Sequence, residues 1–215
     1  MPHIQPIGSL FFITFNLQGA IPGHILDSLQ KEKYAKINFL EDSNHPNLYQ
    51  EKINEHKRYF AKIDSVLDDN NYGEKYLENH NVAQILMDKI ISYDDISYDL
   101  IACCIMSNHV HLLINLYVQI ENIPSSTEIT EKNYKPLYDI MKLIKGGSAF
   151  EINKILKRKG RFWQVEYYDH YVRNKKELLN IIYYIVNNPV KAGMVKNWQD
   201  YKFTYVKEEF KISLP

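Results

Sequence analysis

The sequence predicts an α+β fold, an antiparallel ferredoxin-like or RRM-like sheet with helices packed on it, and three observations carry that expectation. Short runs of aromatic and β-branched residues alternate with longer stretches whose apolar residues recur at helical spacing. Two of the short runs are separated only by Ser107 and Asn108, which is a hairpin signal. The resulting order, β-α-β-β-α, is that of a ferredoxin-like sheet. A chain of 215 residues is long enough for one sizeable core and short for two, so residues 1–215 are expected to form a single domain with a helical insertion at about 41–80.

Taken in order, residues 9–17 are rich in Phe, Ile, Leu and Thr and read as the first strand. Residues 25–39 and 51–67 carry helical periodicity, with loop residues at 41–47 between them and a stop at 68–73. A helix over about 81–91 precedes the acidic turn at Asp94 and Asp95. Residues 101–106 and 109–117 form the strand pair of the hairpin, and residues 121–135 are loop-like. A helix follows over 137–157, where Gly146 and Gly147 mark a kink or a close approach. Beyond the basic turn at 157–161 come a strand over about 167–172 and a last helix over 175–187, which Pro189 is expected to end.

No stretch approaches the ~20 apolar residues of a membrane span, and the first ten residues lack the regions of a secretory signal, so a cytoplasmic protein is expected. Cys103 and Cys104 are adjacent in a strand and point to opposite faces, which disfavours a disulfide and fits a reducing compartment. The chain has 26 Lys and Arg against 26 Asp and Glu, yet residues 141–200 hold twelve basic residues and five acids. Phosphate binding depends on such local excess, although a solvated mixed surface accounts for it equally well.

The two-residue period of the strand at 109–117 puts Val110, Leu112, Ile114 and Leu116 on one face, and His109, His111, Leu113, Asn115 and Tyr117 on the other. Two imidazoles side by side on an apolar strand can reach one metal ion. His24, His45, His56 and His80 have no partner at ligand spacing and are expected to be ordinary surface or hydrogen-bonded residues. On the last helix Leu178, Leu179, Ile181, Ile182, Ile185 and Val186 share an apolar sector, while Glu177, Tyr184 and Asn188 fall together outside it. Tyr183 borders the apolar sector and is expected to pack. Tyr184 is the better nucleophile candidate, although most of the seventeen tyrosines are expected to be core or rim residues. Asn188 is either a polar partner of that site or a helix C-cap.

The segment from Met106 through Asn108-His109-Val110-His111 to Ile114, then Phe162-Trp163-Gln164, then Tyr184-Ile185-Val186-Asn187-Asn188-Pro189-Val190-Lys191-Ala192-Gly193, resembles the single-tyrosine HUH transposases. The likeness is nearer to their REP-associated tyrosine transposase branch. It runs from the first strand to about Tyr205, with two separated motifs in the right order. Departures are the long segments at 18–80 and 119–135, Ser107 where proline is usual, and Asn188 where insertion-sequence relatives have Gln. The resemblance implies that His109 and His111 bind a divalent metal, Mg²⁺ or Mn²⁺, that Asn188 stands at the polar third-ligand position, and that Tyr184 is the nucleophile. It further implies a single-stranded DNA substrate beside an imperfect hairpin, a 5′-phosphotyrosine intermediate with a free 3′-OH, and a homodimer in which Tyr184 serves its own or the partner's site.

Of the basic residues, Arg158, Lys159, Arg161, Arg173 and Lys176 are candidates for phosphate contact, with Lys142 and Lys145 evenly divided between DNA and solvent. Phe162, Trp163 and Tyr168 are candidates for base stacking, but core packing is the expected role of Phe162 and Trp163. The alternative function is a catalytically silent hairpin-binding protein. A zinc hydrolase is disfavoured because no motif supplies a carboxylate beside the histidines, and an RNA-binding module because its aromatic strand motif is absent.

Overall fold

The computed structural model describes residues 5–43, 45–69, 71–124 and 126–211. Asn70, in the turn expected at 68–73, lies outside them. Along the chain run β1 (Leu10–Asn16), α1 (Gly23–Asp42), α2 (Leu48–Asp68), α3 (His80–Ile91), β2 (Asp99–Ile105), β3 (His109–Asn115), α4 (Tyr117–Glu121), α5 (Leu137–Ile155), β4 (Tyr168–Tyr171), α6 (Lys175–Lys191), β5 (Thr204–Val206) and α7 (Glu208–Lys211). Short 3₁₀ turns lie at Tyr76–Glu78 and Trp198–Asp200.

The five strands form one antiparallel sheet in the order β4-β1-β3-β2-β5. Its first four members have the ferredoxin-like order, as expected, and β5 extends the β2 edge. β3 is therefore central and buried on both faces. One face carries Phe11, Ile13, Phe15, Cys103, Ile105, Val110, Leu112 and Ile114, packed with α3 and α5. The other carries Phe12, Cys104 and Leu113, packed under Ile182, Ile185 and Val186 of α6. A bulge between Leu100 and Ala102 inserts Ile101, so that Ile101 and Ala102 both join the α6 face. Cys103 and Cys104 are free, buried and on opposite faces, as the strand period requires.

The ends of β3 and α6 and the strand β5 depart from the sequence expectation, and of the kink or close approach expected at Gly146 and Gly147 the structure has the close approach. β3 stops at Asn115, because its side chain accepts from the Tyr117 amide at 3.1 Å and starts α4 there. α6 does not end before Pro189 but continues to Lys191, with Pro189 inside it. The proline has no N–H for the Ile185 carbonyl, and in the turn before it the Asn188 side chain donates to the Tyr184 carbonyl at 2.9 Å. β5 has only three residues, too few for its alternation to register. α5 runs unbroken through Gly146 and Gly147, and a Cβ at Gly147 would lie 3.2 Å from Lys89 Cε, so the close approach is to the α3 side chain that pairs with Glu151 at 3.0 Å.

α1 and α2 pack against each other, with Lys52 paired to Glu41 and Lys62 to Glu32. The inner face of α2 lies over the α6 side of the sheet, where Phe60 stacks on Tyr168 with centroids 3.7 Å apart and meets Phe12 edge-on at 5.8 Å. Among the described residues no helix is long and apolar enough to cross a membrane.

Gly73 closes the turn beyond α2 with φ +70°, and an added Cβ would stand 2.6 Å from the Gly19 carbonyl oxygen and 2.7 Å from Ala20 Cα. Both neighbours are backbone and cannot rotate away. Gly73→Ala is therefore expected to cost more than the roughly 1–3 kcal/mol of a left-handed non-glycine residue, read as a lower urea midpoint.

Candidate metal and tyrosine site

The two-residue period of β3 brings His109 and His111 to the α6 face, where they are 1% and 0% exposed. Their Nε2 atoms are 3.1 Å apart. Asn108 Oδ1, which only accepts, lies 2.7 Å from His109 Nδ1, so that nitrogen carries the proton and Nε2 presents its lone pair. Thr14 Oγ1, opposite His111 on β1, holds His111 Nδ1 at 2.8 Å. Partners on the far nitrogens that orient the near ones are what a metal-binding histidine pair requires.

Tyr184 comes from α6, half-buried, with its ring 5.2 Å from the His111 ring and 5.9 Å from that of Phe12. Tyr183, which the helical periodicity expected to pack, is instead 47% exposed. The α6 axis is rotated so that Tyr184, not Tyr183, continues the Ile182–Ile185 side toward the sheet. Asn188, one turn on, is 2% exposed; its Nδ2 donates to the Tyr184 carbonyl, and its Oδ1 is buried without a hydrogen-bond partner.

Two further residues enter the site from α2, and sequence reasoning did not find either. Asp64, 5% exposed, accepts the Tyr184 hydroxyl on Oδ2 and turns Oδ1 toward His111 Nε2 at 3.7 Å. Asp68, one turn later, sets Oδ1 3.7 Å from His109 Nε2 and pairs Oδ2 with Lys191 at 2.9 Å. The only sequence signal was a pair of carboxylates at i, i+4 beside the stripe of Phe60, Ile63 and Leu67, with nothing to say which element that helix would cover. The carboxylates that the sequence could not place beside the histidines are thus present. Asp64, His109 and His111 offer donor atoms within 4.8 Å of one another, a group that could hold a metal ion.

The donor set fits a cation for a second reason. Asp64 Oδ1, Asp68 Oδ1 and Asn188 Oδ1 are all buried and accept no hydrogen bond. Orphaned oxygens are rare inside proteins, and two of these, Asp64 Oδ1 and Asp68 Oδ1, stand 3.7 Å from an imidazole Nε2 of the pair, which makes a site of negative potential. Burial drives the titrations apart. It pushes His109 well below the usual imidazole range, with His111 adding to the effect, and His111 down to about 3, so both are neutral ligands near pH 7. Burial raises the Asp64 carboxyl to about 6 against the opposing hydrogen bond from Tyr184, and it raises the Tyr184 phenol, with the Asp64 charge adding.

The basic residues do not form one patch. Lys159 and Arg161 are exposed in the turn after α5, near the end of β1 where Leu17 bridges Trp163. Arg173 and Lys176 are exposed beyond β4, whose Tyr171 pairs with Phe11 at the other end of β1. A seven-residue strand separates the pairs by roughly 20 Å. The Arg158 guanidinium is committed to Asn153 Oδ1 and the Arg161 carbonyl, and lies over the rings of Tyr76 and Phe162. Lys145 donates to the Val165 carbonyl at 2.8 Å, whereas Lys142 is exposed. Phe162 and Trp163 are core residues as expected, Trp163 Nε1 donating to Ser148 Oγ at 3.0 Å, and Tyr168 is covered by Phe60.

Because the folded-state pKa of Asp64 lies above its value of 3.8 in the unfolded chain, the folded state holds the proton longer. Its carboxyl costs nothing below about pH 4 and opposes folding increasingly as pH rises to about 6. The histidines act in the other direction, since the unfolded chain protonates first and stability falls as pH drops below 6.5. In the presence of a chelator, Asp64→Asn is expected to raise stability at pH 7 by roughly 2–3 kcal/mol, a gain that disappears near pH 4 in denaturation curves.

No family model matches the chain. A curated protein of Haemophilus influenzae, described as a REP-associated tyrosine transposase, is 26% identical over 117 residues, 54% of this chain and 64% of that protein's length. A solved structure of a REP-associated tyrosine transposase bound to a REP hairpin superposes with a TM-score of 0.52, covering 95% of this chain and 80% of the other at 18% identity. The likeness to the REP-associated tyrosine transposases that the paired motifs announce is therefore carried twice, by a related sequence and by the sheet-and-helix fold.

Proposed function

We propose that the protein is a transposase that cleaves and rejoins single-stranded DNA beside a hairpin, with Tyr184 as the nucleophile. One observation carries this. Within a single chain the Tyr184 phenol and the His109–His111 pair share one pocket, linked through Asp64. The similar protein solved with a REP hairpin supports the DNA hairpin as partner.

His109 and His111 would hold the metal, Mg²⁺ or Mn²⁺, with buried oxygen ligands from the site, among them Asn188 at the position the motif assigns. A cation there supplies Lewis-acid polarisation of the scissile phosphate and neutralises charge in the transition state. The remaining work falls to side chains. Asn108 and Thr14 keep the imidazoles oriented. α6 presents the phenol, and its attack on phosphorus yields a 5′-phosphotyrosine and a free 3′-OH; attack by a second 3′-OH reverses the bond change without ATP. Lys159, Arg161, Arg173 and Lys176 meet phosphates at the two ends of β1, and Arg158 shapes the turn that carries Lys159 and Arg161. The setting is the cytoplasm, and a homodimer is compatible with a tyrosine acting on its own chain's histidines.

With single-stranded hairpin DNA and Mn²⁺, the wild type is expected to form a covalent protein–DNA adduct on denaturing gels. Tyr184→Phe abolishes it, His111→Ala reduces it by roughly a hundredfold or more, and Tyr183→Phe leaves it intact. Hairpin binding without any adduct would instead indicate the catalytically silent alternative, and an adduct that survives Tyr184→Phe would assign the nucleophile elsewhere.

A further inference from the structure

The two oxygens of Asp64 have different neighbours. Oδ2 accepts from the Tyr184 hydroxyl, while Oδ1 is buried, accepts no hydrogen bond and faces His111 Nε2 at 3.7 Å. Ligand atoms bound at about 2.1 Å in adjacent positions of an octahedron stand roughly 3 Å apart. The imidazole nitrogens, at 3.1 Å, already meet that spacing, and the carboxylate oxygen, at 3.7 Å from His111 Nε2 and in a group whose donor atoms all lie within 4.8 Å of one another, would have to move inward by about an ångström.

The other two candidates for a third ligand are weaker. Asp68 also directs an orphaned oxygen at the pair, but its second oxygen is neutralised by Lys191 at 2.9 Å. Asn188 is a neutral amide, so in the DNA-free protein a set of two imidazoles and Asn188 would leave a buried divalent charge with no anion among its protein ligands. Asp64 is the carboxylate that faces the histidines and has a hydroxyl, not a cation, on its other oxygen.

We infer that Asp64 joins the metal to the nucleophile. Oδ1 is the anionic ligand that completes the His109–His111 site, and Oδ2 holds the Tyr184 phenol in place and accepts its proton. The inference rests on the tyrosine and metal reading above, and it moves the decisive third ligand from α6 to α2. In the cleavage step the Tyr184 O–H bond breaks and the proton passes to Asp64 Oδ2. The phenolic oxygen bonds to phosphorus as the bond from phosphorus to the 3′ oxygen breaks. The proton then leaves Asp64 for that 3′ oxygen, giving the 3′-OH, so nothing else is consumed.

Metal binding to the DNA-free protein tests the ligand. In calorimetric titration with Mn²⁺ the wild type is expected to take one ion per chain, Asp64→Asn to lose at least roughly tenfold in affinity, and Asn188→Ala to lose clearly less. A second variant guards against a change in fold. Asp64→Cys titrated with Cd²⁺ should show a thiolate-to-metal absorption band absent from the wild type. Wild-type Mn²⁺ affinity in Asp64→Asn, the larger loss in Asn188→Ala, or no Cd²⁺ band in a folded Asp64→Cys would each overturn the assignment. At Mn²⁺ concentrations that saturate every variant, Asp64→Asn should form the DNA adduct roughly a hundredfold or more slowly, with a rate that climbs with pH as hydroxide replaces the lost acceptor. An adduct rate and pH profile like those of the wild type would refute the proton-accepting role. A wild type that binds Mn²⁺ through Asp64 yet forms no adduct would defeat the strand-transfer function and leave the ligand assignment standing.

Discussion

Two imidazole Nε2 atoms face each other at 3.1 Å in a part of the protein where both rings are 1% exposed or less, and the surrounding structure is organised by that constraint. Burial keeps both rings from taking up a second proton. The pair is held because β3 is the central strand, with β1 hydrogen-bonded along its whole length on one side and β2 on the other. Thr14 and Asn108 then fix the rings from behind. A rigid strand flanked on both sides limits the pair to one geometry, which a loop would not do.

The site adds nothing to stability that a hydrophobic core could not supply better. Each buried oxygen without a partner costs about 1–3 kcal/mol, and Asp64, Asp68 and Asn188 each carry one. Leucine at Asp64 or Asn188 would remove such a cost. Buried polar atoms in that number mark a place where the fold gives up stability, as functional sites do, and Asp64, His109 and His111 form a group that could hold a metal ion.

The legible part of this architecture was the part with short-range period. Alternation along residues 109–115 placed both histidines on one face and Val110, Leu112 and Ile114 on the other, as found. Helical spacing separated Tyr184 from Tyr183, although it misjudged which of them is covered, because the direction from which the sheet approaches α6 is a tertiary fact. Asp64 and Thr14 were not legible. They reach His111 across 47 and 97 positions of chain respectively, and nothing local distinguishes Asp64 from the other acids of a charged helix. Pro189 misled for a related reason: its local rule describes an isolated helix, whereas here the last turns carry Asn188 and Pro189 buried in the structure.

What holds α2 in place matters as much as what it carries. α1 buries only Leu40, and two of the three buried residues of α2 are acids, Glu55 and Asp64, so this pair of helices has little apolar surface with which to hold the sheet. Its grip includes Leu67 in the core, Phe60 against Phe12 and Tyr168, and contacts with α6: Lys57 with Glu177, Asp64 with Tyr184, Asp68 with Lys191. Lys57, Phe60, Asp64, Leu67 and Asp68 follow the helical repeat, so one stripe of α2 makes all of these contacts. Exposed ion pairs contribute little, and the contacts at Asp64 and Asp68 bring buried carboxylates that oppose closure. A cation bound between α2 and β3 would turn that repulsion into attraction, and any species that binds only the closed form stabilises it by its own binding free energy. The docking of this helix pair and the integrity of the histidine–tyrosine pocket are therefore one equilibrium, governed by the charge that the pocket contains.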